Sequence, residues 1–355
     1  MPCGINKEET GKSAHYTIYS ENKYQFNTKL GCMKVLERFK QGGGFRLAKT
    51  YFRMGLLSNL LKAGFYVLVK GKSYQSQYSI LAKKVKPLLA KEFNSVLVEN
   101  DKLIKELRPK KELNKENSKY VWFCWLQGID NAPKIVKSCL ESQKKWLKDR
   151  IIITITAENY AEYITLPEFI KEKHDKGIIP NAMFSDLIRL ELLIRYGGTW
   201  IDATVMITGN NYPKEILDCT IFMPQYINYN GTRVGISNWM ITATRDNHLL
   251  ILLREMLLEY WRRYDCVVYY YIFHFFFGMI ECKYPNELKT MPQLNSFLCI
   301  ELLNHLGEHD KTGKLERFLS KVSIHKLSYR LCEEVVRDEK NVLHDLLRLA
   351  SGSNI

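Results

Sequence analysis

Hydrophobic and polar positions change period along the chain, and the changes divide it into three stretches. In the first, Leu56, Leu57, Leu60, Leu61 and Phe65 recur at helical spacing between Arg53 and Lys62, which predicts a basic amphipathic helix. Gly42-Gly43-Gly44 reads as a turn, and without a following G-K pair it is no phosphate loop. The polar run from Arg108 to Lys119 reads as a linker. Beyond it, short apolar runs alternate with amphipathic ones. Tyr120 to Trp125 predicts an aromatic-rich strand, after which Asp130-Asn131-Ala132-Pro133 starts a helix by capping chemistry that runs to about Trp146. Arg150 to Thr156 predicts a β-branched strand, and Glu158 to Tyr163 and Pro167 to Lys176 predict short helical pieces. A longer apolar helix over 182–196, a Gly-Gly stop and a strand over 199–207 follow. Strand, helix, strand, helix, strand is the pattern of an α/β unit with a parallel sheet, in which ligands sit beyond the carboxyl ends of the strands. From Asn247 onwards the pattern is largely helical. The expected organisation is a basic helical region with its linker over 1–118, an α/β unit over 119–331 and a helical tail over 332–355.

Composition narrows the class. The 355 residues suffice for one large domain or two ordinary ones, with apolar and charged fractions of a soluble globular protein. Nine cysteines are scattered without a C-x-x-C pair; such a set predicts reduced thiols in a cytosolic compartment rather than disulfides or a metal knot. No signal-peptide pattern opens the chain. The longest greasy run, Cys266 to Ile280, is too short to span a bilayer and reads as a buried helix, with His274 a core histidine.

The net charge of +14 is concentrated. From Arg38 to Lys91 there are twelve Lys or Arg and no Asp or Glu. Three readings of that stretch compete: a solvated helical face, an anionic membrane surface or lipid-linked diphosphate acceptor, and nucleic acid. Nothing in it resembles a nucleic-acid-binding motif, so that partner is the least favoured.

Chemistry concentrates in Phe184 to Val205, FSDLIRLELLIRYGGTWIDATV. Asp186 and Arg189 are three apart and share a helix face. That helix has little polar surface, so its charges need partners. Asp202 and Thr204 are two apart, which in a strand puts both on one side. An acid, a guanidinium and a second acid are thereby aimed at one locality.

The string S-D-x-x-R, apolar run, G-G, W-I-D-A-T resembles the sugar-binding segment of glycosyltransferase family 32, and most closely its capsular polysaccharide synthesis branch. The resemblance runs from about Tyr120 to about Arg330. It implies a GT-A-type α/β fold that binds a nucleotide-sugar, preceded here by the basic helical region and followed by a largely helical part. It also implies transfer of a sugar, from a UDP-sugar in the first instance, to a hydroxyl of a surface polysaccharide or lipid-linked oligosaccharide, with retention of configuration. Asp186, Arg189 and Asp202 would then be the catalytic group. Trp125, in V-W-F-C-W-L-Q-G, matches the aromatic that stacks on the nucleobase, and Ser185 the residue beside the acid that contacts the nucleoside. Asn238, in I-S-N-W-M-I-T-A, matches an asparagine lining the sugar site. His325, Lys326 and Arg330 lie near the end of the matching region; Lys326 and Arg330 are i,i+4 if helical and would face the diphosphate. By the same resemblance Asp202 is the first acid of the D-x-D motif, which binds the ribose or a divalent cation, Mn²⁺ or Mg²⁺, bridging the diphosphate. Thr204 stands where the second acid would be, and a hydroxyl is a poorer ligand than a carboxylate, so metal dependence stays open. Two other classes compete with the transferase: a non-catalytic, membrane-associated assembly protein and a basic nucleic-acid-binding protein. The expected location is cytoplasmic or peripheral on the inner membrane face.

Overall fold

The computed structural model describes residues 40, 43–69, 74–107, 118–310 and 312–351. Gly42, most of the linker over 108–119 and the N-terminal residues in which no signal pattern was read lie outside them. Where described, the basic region is helical, as its periodicity predicts, but a turn over 54–56 splits the predicted amphipathic helix: α1 (Phe45–Arg53), α2 (Leu57–Leu68) and α3 (Tyr74–Leu107). On α3 a stripe of Leu81, Val85, Leu89, Phe93 and Val96 is buried, the spacing of an amphipathic helix with one docked face. Pro87 sits on the solvent side of that helix, where the backbone bond it cannot make is tolerated.

The α/β unit follows the predicted order: β1 (Tyr120–Cys124), α4 (Lys134–Trp146), β2 (Ile151–Ile155), the short helices α5 (Tyr160–Tyr163) and α6 (Glu168–Asp175), α7 (Asn181–Tyr196) and β3 (Gly198–Ile201). Strands β1, β2 and β3 are parallel, with β1 between the other two. After β4 (Val205–Ile207) come β5 (Ile221–Phe222), a hairpin of β6 (Gln225–Ile227) and β7 (Arg233–Ile236), and β8 (Met240–Ala243). Strands β8 and β5 extend the sheet antiparallel, giving the order β2-β1-β3-β8-β5. The remainder is largely helical: α8 (His248–Arg263) and α9 (Ile272–Lys283), then short helices up to α12 (Lys314–Lys321), the strand β9 (Ile324–Lys326), α13 (Glu333–Arg337) and α14 (Val342–Ser351). The greasy run is the buried helix α9 with the segment before it. Among the described residues no helix is long and apolar enough to cross a membrane.

Two local expectations are corrected. Helix α4 has no side-chain cap; Pro133, in an extended conformation, stands at its start. The strand predicted over 199–207 is two strands in different sheets. Val205 N–H donates to Asp202 C=O at 2.9 Å, which closes a turn over 202–204. Beyond the turn, β4 leaves the main sheet because its backbone finds other partners. Gln143 Nε2 donates to Val205 C=O at 2.9 Å and Ile207 N–H to Ser142 Oγ at 3.0 Å, while β9 pairs antiparallel along it. These bonds replace main-sheet partners for the backbone of β4, which lowers the cost of the break.

Helix α7 is the sheet's central support. It buries Met183, Phe184, Leu187, Ile188, Leu190, Leu192, Leu193 and Ile194. At about 1.5–3 kcal/mol for each such side chain, this outweighs the several kcal/mol needed to desolvate the one guanidinium it carries inward. Gly197 ends it at φ 68°. Gly198, at φ 93°, has no room for a side chain: a Cβ there would lie 2.4 Å from the Tyr120 carbonyl oxygen. The double glycine is therefore both a helix stop and the close approach that lets β3 pair with β1.

Candidate active site

Four segments distant in sequence meet where β3 ends. Strand β8 runs antiparallel to β3, so the residues just before β8 stand beside those just after β3, and Asp202 N–H donates to Trp239 C=O at 2.8 Å. Helix α7 passes beneath and contributes Asp186 and Arg189. Strand β9, paired with β4, contributes Lys326.

Arg189 is the centre of the cluster. Its side chain is only 4% exposed, and it lies 3.1 Å from Asp186 Oδ1 and 3.2 Å from Asp202 Oδ1. Its Nη1 also donates to Asn238 C=O at 2.7 Å. The guanidinium stacks over the Trp200 ring, 4.7 Å from the ring centre, a geometry favourable to a planar cation. Asn238 closes the loop, its Nδ2 donating to Asp186 Oδ1 at 3.0 Å. Trp200 Nε1 donates to Asp202 Oδ1 at 2.9 Å. Asp202 Oδ1 thus takes two donors, while Asp186 Oδ1 takes the Asn238 amide and the Arg189 ion pair, and each carboxylate is oriented through one oxygen. Asp186 Oδ2 has no hydrogen-bond partner among the described residues.

On the open side, Lys326 Nζ donates to Thr204 Oγ1 at 2.5 Å and lies 3.4 Å from Asp202 Oδ2. Leu327 N–H extends the ladder to Thr204 C=O at 2.8 Å. Asp202 and Thr204 do share a partner, but through a turn folded around an ammonium rather than through strand alternation.

Burial governs the titration here. It pushes the Asp186 carboxyl up to about 7, against the downward pull of Arg189. Burial likewise raises the Cys124 thiol, at the end of β1, to about 12, so that sulfur is no nucleophile. His274 is enclosed between Tyr271 and Phe273. Burial, with the Arg189 charge beside it, lowers it to about 4 and keeps the imidazole neutral.

Of the residues singled out in the sequence, Asp186, Arg189, Asp202, Thr204, Asn238 and Lys326 are brought together. The others are not. Trp125 lies just beyond β1, half-buried, and meets Tyr329 edge to face at 5.1 Å. Ser185 turns its hydroxyl to Ala182 C=O of its own helix at 2.7 Å. His325 alternates with Lys326 on β9, so it points to the opposite side; there it is buried against Thr208 Oγ1 at 3.1 Å, and burial lowers it to about 4. Arg330 is on a loop against the Tyr329 ring and hydroxyl. Lys326 is on a strand, so the i,i+4 helical pairing with Arg330 does not exist. The site also includes Trp200, not singled out in the sequence; its W-x-D spacing to Asp202 is the available signal.

The donor set does not match a divalent cation. It holds one carboxylate, and the second oxygen of that carboxylate faces an ammonium. The hydroxyl that replaces the second acid is bonded by the same ammonium. No group of three or more His, Cys, Asp or Glu suited to a metal occurs among the described residues.

The protein is thus of the open-sheet α/β class, with a buried, cross-linked charge cluster at the carboxyl end of a sheet strand, where proteins of that class place their ligands. Residues 66–345 match the family described as capsular polysaccharide synthesis protein, and the chain belongs to that family. Among solved structures it is similar to the PaToxG glycosyltransferase, at 14% identity and a TM-score of 0.34 over 79% of this chain and 98% of that one. It is also similar to the catalytic domain of alpha-toxin from Clostridium novyi, at 12% identity and a TM-score of 0.30 over 64% and 77%. No curated protein matches the chain significantly.

Proposed function

We propose that the protein is a glycosyltransferase of the GT-A type, related to glycosyltransferase family 32. In this reading it moves a sugar from a nucleotide-sugar, in the first instance a UDP-sugar, to a hydroxyl of a capsular polysaccharide or lipid-linked oligosaccharide, with retention of configuration. The observation that carries this is the convergence of Asp186, Arg189, Asp202 and Asn238 on one point beyond β3. Membership of the capsular polysaccharide synthesis family supports it.

The geometry supports the following roles. Asp186 and Asp202 accept hydrogen bonds from donor hydroxyls, each through the oxygen that Arg189 leaves less engaged. Arg189, too buried to reach far, orients both carboxylates and offsets their charge. Trp125, beyond the neighbouring strand, is the candidate platform for the base. Transfer breaks the bond from the anomeric carbon to the diphosphate oxygen, which leaves with the electron pair. The acceptor oxygen bonds to that carbon and passes its proton to the leaving phosphate. Stabilising the charge on the departing diphosphate is the largest demand on the protein.

Asp202→Asn tests the reading. It keeps the shape and the Arg189 neighbour but removes an acceptor charge, and it should lower transfer by roughly 10²–10³-fold, the cost of one preorganised charge-stabilising group. Thermal melting and turnover both equal to wild type would remove the proposal's centre.

A second reading concerns where transfer occurs. Phe45 is 91% exposed, Phe52 68% and Leu61 64%, with Phe65 also outward. Arg46, Lys49, Arg53 and Lys62 are exposed among them. Aromatic and basic residues exposed together on α1 and α2 favour docking on an anionic membrane, where a lipid-linked acceptor would be presented.

A further inference from the structure

In the D-x-D arrangement that the sequence resembles, two acids hold a dication against the donor diphosphate. Here the corresponding turn holds an ammonium. Lys326 Nζ lies between the Asp202 carboxylate and the Thr204 hydroxyl, 3.4 Å from Oδ2 of the first and 2.5 Å from Oγ1 of the second. Lys326 is delivered there by the β4–β9 ladder, Val205 opposite Lys326, so its position is set by backbone pairing. The Lys326 side chain is 23% exposed. It is therefore open to a ligand, unlike Arg189. Besides Asp202, Nζ meets two neutral acceptors, the Thr204 hydroxyl and the Leu327 carbonyl, the latter at 3.4 Å.

Charge balance points the same way. Asp186, Asp202, Arg189 and Lys326 sum to zero when both carboxylates are ionised, and burial raises the Asp186 carboxyl, so the cluster carries no net negative charge. A dication placed against Asp202 Oδ2 would stand beside the Lys326 ammonium with a single carboxylate to offset both. A diphosphate placed there meets a cation already held in position. Threonine at 204 is then no defect. A second carboxylate would bind Lys326 tightly and keep it from phosphate, whereas a hydroxyl holds it and leaves its charge available.

We infer that Lys326 takes the place of the divalent cation, so that the site binds a nucleoside diphosphate group through a fixed ammonium and without metal. This rests on the nucleotide-sugar reading above. It departs from the metal that the D-x-D resemblance implies.

The test is calorimetric titration of the full chain with UDP and GDP, once with EDTA and once with Mn²⁺ or Mg²⁺. The nucleotide that binds should do so with affinities within about threefold under the two conditions. Lys326→Met, at a melting temperature near wild type, should weaken it roughly tenfold or more, as expected for loss of a charge-assisted contact to phosphate. Lys326→Arg should recover most of the loss. The double variant Thr204→Asp with Lys326→Met should regain affinity only when Mn²⁺ is present, since the two-acid cation site is then rebuilt. Wild-type binding that requires Mn²⁺ and disappears with EDTA overturns the inference while leaving the transferase reading intact. So does undiminished binding by folded Lys326→Met. Failure of the wild type to bind either nucleotide under both conditions overturns the transferase reading, and this inference with it.

Discussion

The outward face of α1 and α2 and the cluster beyond β3 are built from the same kinds of charged residue and use them in opposite ways. Between residues 38 and 91 no acid balances the cations, and Arg46, Lys49, Arg53 and Lys62 extend into solvent beside Phe45, Phe52 and Phe65. Their field reaches about a Debye length, ~8 Å at physiological salt, and has no fixed direction. At β3 each cation has its acid. Arg189 bonds Asp186, Asp202 and the Asn238 carbonyl at once, in surroundings that screen little. The difference shows that burial, not residue type, decides whether charge acts as a diffuse attraction or as a positioned contact. The first should bind surfaces; the second should read individual oxygens.

The hardest test of this contrast is Arg189→Ala. It leaves two carboxylates facing each other in a buried site and empties the space over Trp200, and removing one partner of a buried ion pair costs about 3–5 kcal/mol. Urea unfolding should register that loss, and a variant within measurement error of wild type would show that the cluster is not structurally coupled. On the outer face, replacing Arg46, Lys49, Arg53 and Lys62 together by Gln should leave folding unchanged. Flotation with anionic vesicles should fall steeply, because each basic residue near such a surface contributes about 1 kcal/mol. Transfer to a soluble acceptor should be unaffected. Equal flotation of variant and wild type would reduce the face to a solvated one.

Acid should act on the buried region first. His325 has its pKa lowered by burial from 6.5 to about 4, so below pH 6.5 the unfolded chain takes up a proton that the folded chain cannot. Stability therefore falls as pH drops from 6.5 towards 4, by about 3 kcal/mol for this one group. His274 acts in the same direction. His325→Gln, which can still bond Thr208, should lose that much of the pH slope when unfolding is measured at both ends of the window; identical slopes would show that the imidazole is not shielded. The smallest effect is expected at Trp125. Its replacement by Ala should weaken nucleotide binding by about 1–3 kcal/mol if the ring stacks on a base. An unchanged affinity in a folded variant would make it a packing partner of Tyr329 alone.

Much of the architecture was legible because it rests on local chemistry. Leucine and isoleucine at helical spacing, then Gly197-Gly198, are enough to write α7, its stop and the start of β3, and the alternation before them is enough to write a parallel sheet. Asp186 and Arg189 could be paired from their spacing, since a helix repeats a face every three or four residues. The strand over 199–207 misled because Trp200 to Ile207 is β-prone on both sides of the turn. Nothing within it reveals that Gln143 and Ser142, some sixty residues earlier, satisfy the backbone of β4. For the same reason the sequence could not tell whether Lys326 and Arg330 share a helix or whether Lys326 lies on a strand, as it does in β9.

By itself, then, the sequence determined the helical character of the basic region, the strand–helix order from β1 to β3, the acid–guanidinium pair on α7 and the concentration of cations between 38 and 91, all of which depend on neighbours a few residues away. Only the tertiary structure decided that Asn238 reaches back to Asp186, that Trp200 supports both Arg189 and Asp202, and that Lys326 rather than Arg330 or His325 meets Asp202 and Thr204. Those contacts join residues tens to more than a hundred positions apart through the antiparallel pairings β3–β8 and β4–β9. Strand pairing is set by which backbones find partners across the fold, and a local pattern of side chains carries no record of that choice.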